Sequence, residues 1–275
     1  VTAIPTTSKD AELAAVLDDG RRRVLSGAAT TVVLVLVIAG AFAYANAFDL
    51  ERYRGAVSTI LTLAADSFPP DFSRWQLWGR PLLETLAMSI AGTVLACMAA
   101  LPLGILAART IGPTWCGAPI RLLLNTVRSI PGLVWGVIFV AAVGFGPLPG
   151  VFALACHSTG MLGKFYAEIL EHVDPGPGDA LRSQGVSRLG VLRFSVVPQI
   201  LPRLVDVTLY RWEHNVRAAT VLGVVGAGGL GLEIITAFHL FEYREALALI
   251  IVLLGLVTAI DFLGAWIRGR FLRQE

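Results

Sequence analysis

Five ionisable residues, Arg203, Asp206, Arg211, Glu213 and Arg217, lie inside one otherwise apolar stretch that begins near Pro198 and runs to about Gly223. A charge placed in lipid costs a few kcal/mol unless it faces protein or water, so five of them in one helix call for a polar cavity. Arg211, His214 and Arg217 recur at spacings of three, which makes them neighbours on one helical face. Guanidinium groups match phosphate-like oxyanions through a planar fork of donors. The chemistry open to this face is the passage of an anion along a wall formed by Arg211, His214, Asn215 and Arg217. A plainer reading also stands: these charges pair with acids on neighbouring helices and fix the packing.

No catalytic constellation competes with that reading. His157, His172, His214 and His239 show no metal-ligand spacing, and no serine sits in a GxSxG elbow. Cys97, Cys116 and Cys156 are far apart with no CxxC pair, and read as free thiols. Gly226 to Gly231 matches GxGxxG, but it follows a charged membrane helix where a nucleotide-binding unit would have a strand. Those glycines read instead as a close backbone approach or a break at the outer end of the span. The chain has no GxxxxGK[ST] phosphate loop, so ATP-driven work would need a partner. The expectation is a non-enzyme that binds no cofactor or metal itself. A net charge of +2, from 22 basic and 20 acidic residues, supplies no field for nucleic acid.

The elements that must position these residues are membrane helices. The chain of 275 residues is 55% hydrophobic and 15% charged, which places it in the membrane class. Apolar runs predict spans over Val24–Phe48, Thr85–Ala108, two helices within Ser129–Gly163, one from Pro198 to about Gly223, and one over Ala246–Ile267. The turn that divides Ser129–Gly163 is expected at Gly146-Pro147-Leu148-Pro149-Gly150. Ala43-Tyr44-Ala45 resembles a signal-peptidase site, yet the run before it is too long for a signal core, and a retained first helix is expected. With the N-terminus inside, fourteen Lys and Arg fall on inner flanks, Lys9, Arg109 and Arg273 among them, and five fall outside, Arg52 among them. That asymmetry predicts both termini in the cytoplasm. Residues 1–23 then form a cytoplasmic extension and 24–275 the transmembrane domain. The segment from Asp49 to Arg80 lies outside, with Trp75 and Trp78 at the interface.

The polar stretch Asp174–Pro202 lies inside in this topology. Pro175 and Pro177 break the preceding helix, Asp179 can open a short new one, and Gly185 and Gly190 permit a bend. The segment resembles the cytoplasmic loop of ABC importer permeases: Asp179-Ala180-Leu181, Gly185 at the family offset, then Val197-Pro198. Asp stands for the family Glu, Leu for its second Ala, and Val for the Leu before proline. Further motifs are similar, in order and spacing, to the phosphonate ABC transporter permease family. They are Gly144-Phe145-Gly146-Pro147, His157-Ser158-Thr159-Gly160, Asp174-Pro175-Gly176-Pro177, the run Leu209 to Thr220, and Val225 to Gly231.

The resemblance implies an all-α polytopic permease with a type I importer fold and about six transmembrane helices. It implies a coupling helix over about 178–191, in which Asp179, Ala180, Leu181, Gly185 and Arg188 meet the ATPase. It also implies a second copy of the chain, two ATP-binding subunits that carry ATP and Mg at the cytoplasmic face, and an extracytoplasmic binding protein. The implied cargo is phosphonate or a related phosphorus oxyanion such as phosphite or phosphate. The alternatives are a permease for another small solute, such as an amino acid, and a membrane scaffold with no substrate path.

Overall fold

The computed structural model describes the backbone of residues 7–113 and 115–271, and the side chains of 17–51, 53–113 and 115–270. The basic residues Lys9, Arg52 and Arg273, counted in the topology argument, lie outside the described side chains. Among the described residues every regular element is helical. The chain divides after Ala64 into two compact units.

The first unit holds helix α1 (Thr7–Tyr44) and most of α2 (Leu50–Ser67). The expected extension over 1–23 does not stand apart from the first span, because α1 is one helix from Thr7 onward. Its polar turns are carried by two i,i+4 pairs, Asp18–Arg22 at 3.0 Å and Asp19–Arg23 at 2.8 Å, with the acid on the favourable N-terminal side. Helix α2 occupies part of the segment read from sequence only as an outer connection. Glu51 in its first turn and the Glu51–Arg54 pair at 2.7 Å support it.

The second unit holds α3 (Gly79–Ala107), α4 (Gly117–Ser129), α5 (Gly132–Val143), α6 (Pro147–Glu171), α7 (Gly176–Ser183), α8 (Arg188–Val191), α9 (Val197–Gly223), α10 (Gly229–His239) and α11 (Tyr243–Phe271). The α3–α6 pair forms the centre of the packing. Gly92, Ala96, Ala100 and Gly104 recur every four residues on α3 and are all buried, giving a small-residue stripe that lets two backbones close up. A Cβ on Gly92 would stand 2.7 Å from the Cβ of Leu154, and one on Gly104 would stand 2.8 Å from that of Tyr166.

By length and composition, Leu17–Tyr44, Trp75–Ala107 and Tyr243–Arg270 are apolar enough to cross a membrane. Helices α4 and α5 add a fourth crossing only as a pair, bent by 86° at Ile130-Pro131. The 12 residues of α5 reach about 18 Å at 1.5 Å per residue, short of the ~30 Å core. The α4–α5 pair is therefore either one broken span or a re-entrant loop. Proline withholds a donor and pushes Ile130 into an extended conformation, and two side chains meet the carbonyls freed at the elbow. Trp135 Nε1 donates to Val127 O at 3.3 Å, and His157 Nδ1 donates to Ile130 O at 3.2 Å. Helices α6 and α9, of 25 and 27 residues, are long enough to span, and Ser158, Arg211, Glu213 and Asn215 among their polar groups are buried.

The turn between α5 and α6 falls just before the expected Gly146–Gly150 run, at Gly144 (φ 93°) and Gly146 (φ 125°), in backbone conformations open to glycine, and the rest of that run opens α6. Pro147 and Pro149 fall in the first turn of α6, where a missing N–H costs nothing. Trp78, expected at the interface, is 4% exposed, and its Nε1 donates to Glu245 Oε1 at 3.3 Å. Trp75 is exposed.

Candidate functional site: the α9 face and the Gly185 loop segment

Helix α9 carries its polar residues in three different settings. Arg211 turns into the interior and is 3% exposed. Its Nε donates to Ser158 Oγ of α6 at 2.8 Å, Ser158 Oγ donates to Asn215 Oδ1 at 3.0 Å, and Asn215 Nδ2 donates to Thr93 Oγ1 of α3 at 2.9 Å. Thr93 then donates to Ser89 O at 2.6 Å. Every donor in this chain points the same way, so α9, α6 and α3 are tied by one hydrogen-bond relay with no oxygen left over. Arg211 Nη2 is buried and has no partner, and no carboxylate pairs with Arg211 among the described residues. Isolated buried cations are costly, which makes this guanidinium the conspicuous charge of the molecule.

Glu213 and Arg217 face α11. Glu213, 7% exposed in its side chain, pairs with Arg268 at 2.7 Å, and its carboxylate lies so close to Gly264 that any Cβ there would collide with Oε1. Four residues on, Arg217 Nη1 donates to Asp261 Oδ1 and Oδ2 at 3.0 and 3.2 Å. His214 and Arg217 line a cleft of about 280 Å³ together with His157, Leu133 and Val221. Of the four residues read as an anion wall, His214 and Arg217 reach this cleft. Arg211 and Asn215 sit in the relay behind it.

The segment after α6 is a helix, a turn and a helix, where one helix over 178–191 was expected. Asp174 Oδ1 accepts Gly176 N–H at 2.9 Å and Pro175 stands at the N-cap of α7. Gly185, at φ 79°, turns the chain. Ser187 then caps α8 by accepting Gly190 N–H at 3.3 Å. Asp179 lies in the first turn of α7 and pairs with Arg182 at 2.8 Å. Asp179, Ala180, Gly185 and Arg188 are exposed and Leu181 is half-buried. Gln199 of α9 holds the segment's base, accepting Asp174 N–H at 3.0 Å and donating to Asp174 O and Ser195 O at 3.3 and 3.0 Å. A π-helical stretch, Leu192–Val196, joins α8 to α9 without a break, so the segment is continuous with the charged span.

At the other end of α9 the glycine run crosses α10. A Cβ on Gly231 would overlap the Thr220 carbonyl oxygen. The N-terminus of α10 is met from α3, where Glu84 Oε2 accepts Gly229 N–H at 3.2 Å and Thr85 Oγ1 accepts Leu230 N–H at 2.9 Å. That is capping supplied by another helix.

Residues 100–273 match the family model described as binding-protein-dependent transport system inner membrane component. The chain belongs to this family. Among relatives, it is 46% identical over 229 residues to the phosphite transport system permease protein PtxC of Stutzerimonas stutzeri, covering 83% of each chain. It is 40% identical over 210 residues to the phosphate-import permease protein PhnE of Mycolicibacterium smegmatis, covering 76% of this chain and 40% of that one. Its fold matches the inward-facing MetNI methionine ABC transporter with a TM-score of 0.62 at 25% identity, over 72% of this chain and 97% of that one.

As an inner membrane component of this kind the chain is a transport subunit and not an enzyme, with a type I importer fold and the ATPase on a separate subunit. The residues that sequence reasoning missed in this permease are Ser158 and Thr93 in the relay, Asp261 and Arg268 opposite α9, and Glu84 at α10. Asp261 carried a signal, being the single acid inside an apolar run. Ser158 stood in the motif His157-Ser158-Thr159-Gly160 without showing its partner, and Thr93 carried no signal, since helical hydroxyls commonly bond their own backbone.

Proposed function

We propose that this permease forms the transmembrane path for a phosphorus oxyanion, with phosphite, phosphonate and phosphate as the class. The observation that carries the reading is Arg211: a buried guanidinium with one hydroxyl partner and, among the described residues, no carboxylate and no partner for Nη2. Its likeness in sequence to phosphite and phosphate permeases supports the same cargo. His214 and Arg217 form the polar wall at the cleft, and Arg211 stands behind it as a buried positive charge, oriented by Asn215 through Ser158. Holding along this wall is weak, since a tight site inside a transporter would retain its cargo.

Two copies of the chain face each other around the path, with the α9 helices near Arg217 at the centre. Both termini lie in the cytoplasm, as the excess of Lys and Arg on those flanks supports. Two ATP-binding subunits, carrying ATP and Mg, dock against Asp179, Ala180, Leu181, Gly185 and Arg188. An extracytoplasmic binding protein delivers the anion.

The test is reconstitution of the permease with its ATPase and binding protein in vesicles, with ATP hydrolysis measured against phosphite, phosphate, methylphosphonate and methionine. Stimulation by the phosphorus anions alone is the expected result. Stimulation by methionine alone would replace the oxyanion reading with an amino-acid one.

A further inference from the structure

Helices α9 and α11 are joined by two ion pairs of opposite character. Glu213–Arg268 is enclosed, with side chains 7% and 26% exposed at 2.7 Å. Breaking such a pair strands a buried charge, and it is not available for exchange. Arg217–Asp261 is open, with side chains 44% and 47% exposed. It engages one guanidinium nitrogen, Nη1, at 3.0 and 3.2 Å from the two carboxylate oxygens. Among the described residues nothing accepts a hydrogen bond from Arg217 Nε or Nη2. Bordering the water of the proposed path, a pair of this kind biases its partners by no more than about five-fold.

The open pair is also the one beside the cleft. Arg217 lines it with His157 and His214, while Asp261 is not among the lining residues and approaches Arg217 from α11. A carboxylate and a phosphorus oxyanion compete for the same fork of donors. Asp261 is therefore chemically what the cargo is: an anion on Arg217.

We propose that Asp261 is a resident stand-in for the transported oxyanion, holding Arg217 while the cleft is empty, yielding it as the anion passes, and reclaiming it so that the anion leaves. This rests on the oxyanion path proposed above. The carboxylate keeps the cation oriented and paired in the empty state. It also sets an upper limit on how tightly the cargo can be held, because an anion that takes the full fork of Arg217 must displace the carboxylate already on Nη1. Release follows from the same competition and from the repulsion between the two negative groups. Asp261 is thus a specificity-determining and release residue for a cargo it resembles.

The experiment uses the solubilised permease–ATPase complex without the binding protein, with radiolabelled phosphite in equilibrium dialysis, and phosphite uptake by the complete system in vesicles. Asp261→Asn should bind phosphite up to about five-fold more tightly and take it up more slowly, and Asp261→Glu should restore both. Tighter binding with slower uptake is a split that loss of a packing contact does not produce. The charge-swapped pair Arg217→Asp with Asp261→Arg should assemble but fail to transport, since the cation then approaches from the wrong helix. Unchanged or weaker phosphite binding by Asp261→Asn overturns the proposal. Wild-type transport by the swapped pair, or failure of Asp261→Asn to assemble with the ATPase, makes the pair a packing lock and overturns it equally. Wild-type uptake by Arg217→Ala, or no phosphite binding by any form, counts against the oxyanion path itself and not against Asp261 alone.

Discussion

Arg211 of α9 is anchored through Ser158 of α6, its Nε–H donating to Oγ at 2.8 Å, and the same hydroxyl donates onward to Asn215 at 3.0 Å. One side chain therefore both holds the buried cation and fixes the amide that completes the relay to Thr93.

Ser158→Ala should remove an acceptor from a charged donor and a donor from Asn215, a loss of about 1.5–3 kcal/mol, or roughly ten-fold or more in an equilibrium. The expected outcome is a strong fall in anion uptake in vesicles with the subunit still assembled. Ser158→Thr, which keeps the hydroxyl, should recover much of it. Uptake at the wild-type rate in Ser158→Ala would show that the orientation of Arg211 is immaterial to flux.

Glu213 and Arg268 make the opposite case. Removing either partner leaves the other charge enclosed, at a cost of about 3–5 kcal/mol, whereas replacing both by apolar groups is often close to neutral. Arg268→Ala should sharply reduce the amount of folded permease and its thermal midpoint in detergent. Glu213→Leu with Arg268→Met should restore most of both. A thermal midpoint unchanged in Arg268→Ala would place the pair's energy near zero.

The legible parts of this architecture are those written locally. Apolar runs marked the spans, and the Gly146–Gly150 run marked the neighbourhood of the α5–α6 turn. Prolines 175 and 177 with Gly185 marked the helix–turn segment, because each acts through its own backbone. Ile130-Pro131 carried the same kind of signal for the α4–α5 elbow and was passed over because the apolar run continues through it. The charged face was visible on α9, but the destination of each charge was not. Whether Arg217 meets Asp261, 44 residues away, depends on the antiparallel register of two helices. That Arg211 meets only a hydroxyl depends on α6. Helical spacing puts residues on a face and says nothing of what stands opposite.

Gly185 turns the loop segment at φ 79°, where a side chain is strained whatever space surrounds it. Gly185→Leu should leave the permease in the membrane while separating ATP hydrolysis from uptake in the reconstituted system. Normal uptake per ATP in this variant would remove the segment from the coupling path.

Gly231 is the position least able to accept a methyl group, since the added carbon would overlap the Thr220 carbonyl oxygen, a backbone atom with no rotamer to yield. Gly231→Ala should lower the thermal midpoint of the solubilised protein. Gly255→Ala, on α11 with nothing within 4 Å of the added carbon, should leave it unchanged. A midpoint for Gly231→Ala equal to that of Gly255→Ala would mean the α9–α10 crossing can spread at little cost.

The two pairs between α9 and α11 run acid then base along α9, Glu213 and Arg217, and acid then base along α11, Asp261 and Arg268. Because the helices are antiparallel, each acid meets a base in one alignment only. Sliding α11 about a turn in one direction brings Arg268 toward Arg217, and in the other brings Asp261 toward Glu213, so either shift sets like against like. The arrangement works as a detent: translation of one helix along the other is opposed in both senses, while rotation about their line of contact leaves the pairs matched. Through the enclosed Glu213–Arg268 pair, α9 and α11 then move as one body along their length, and sliding travel is taken up at other seams.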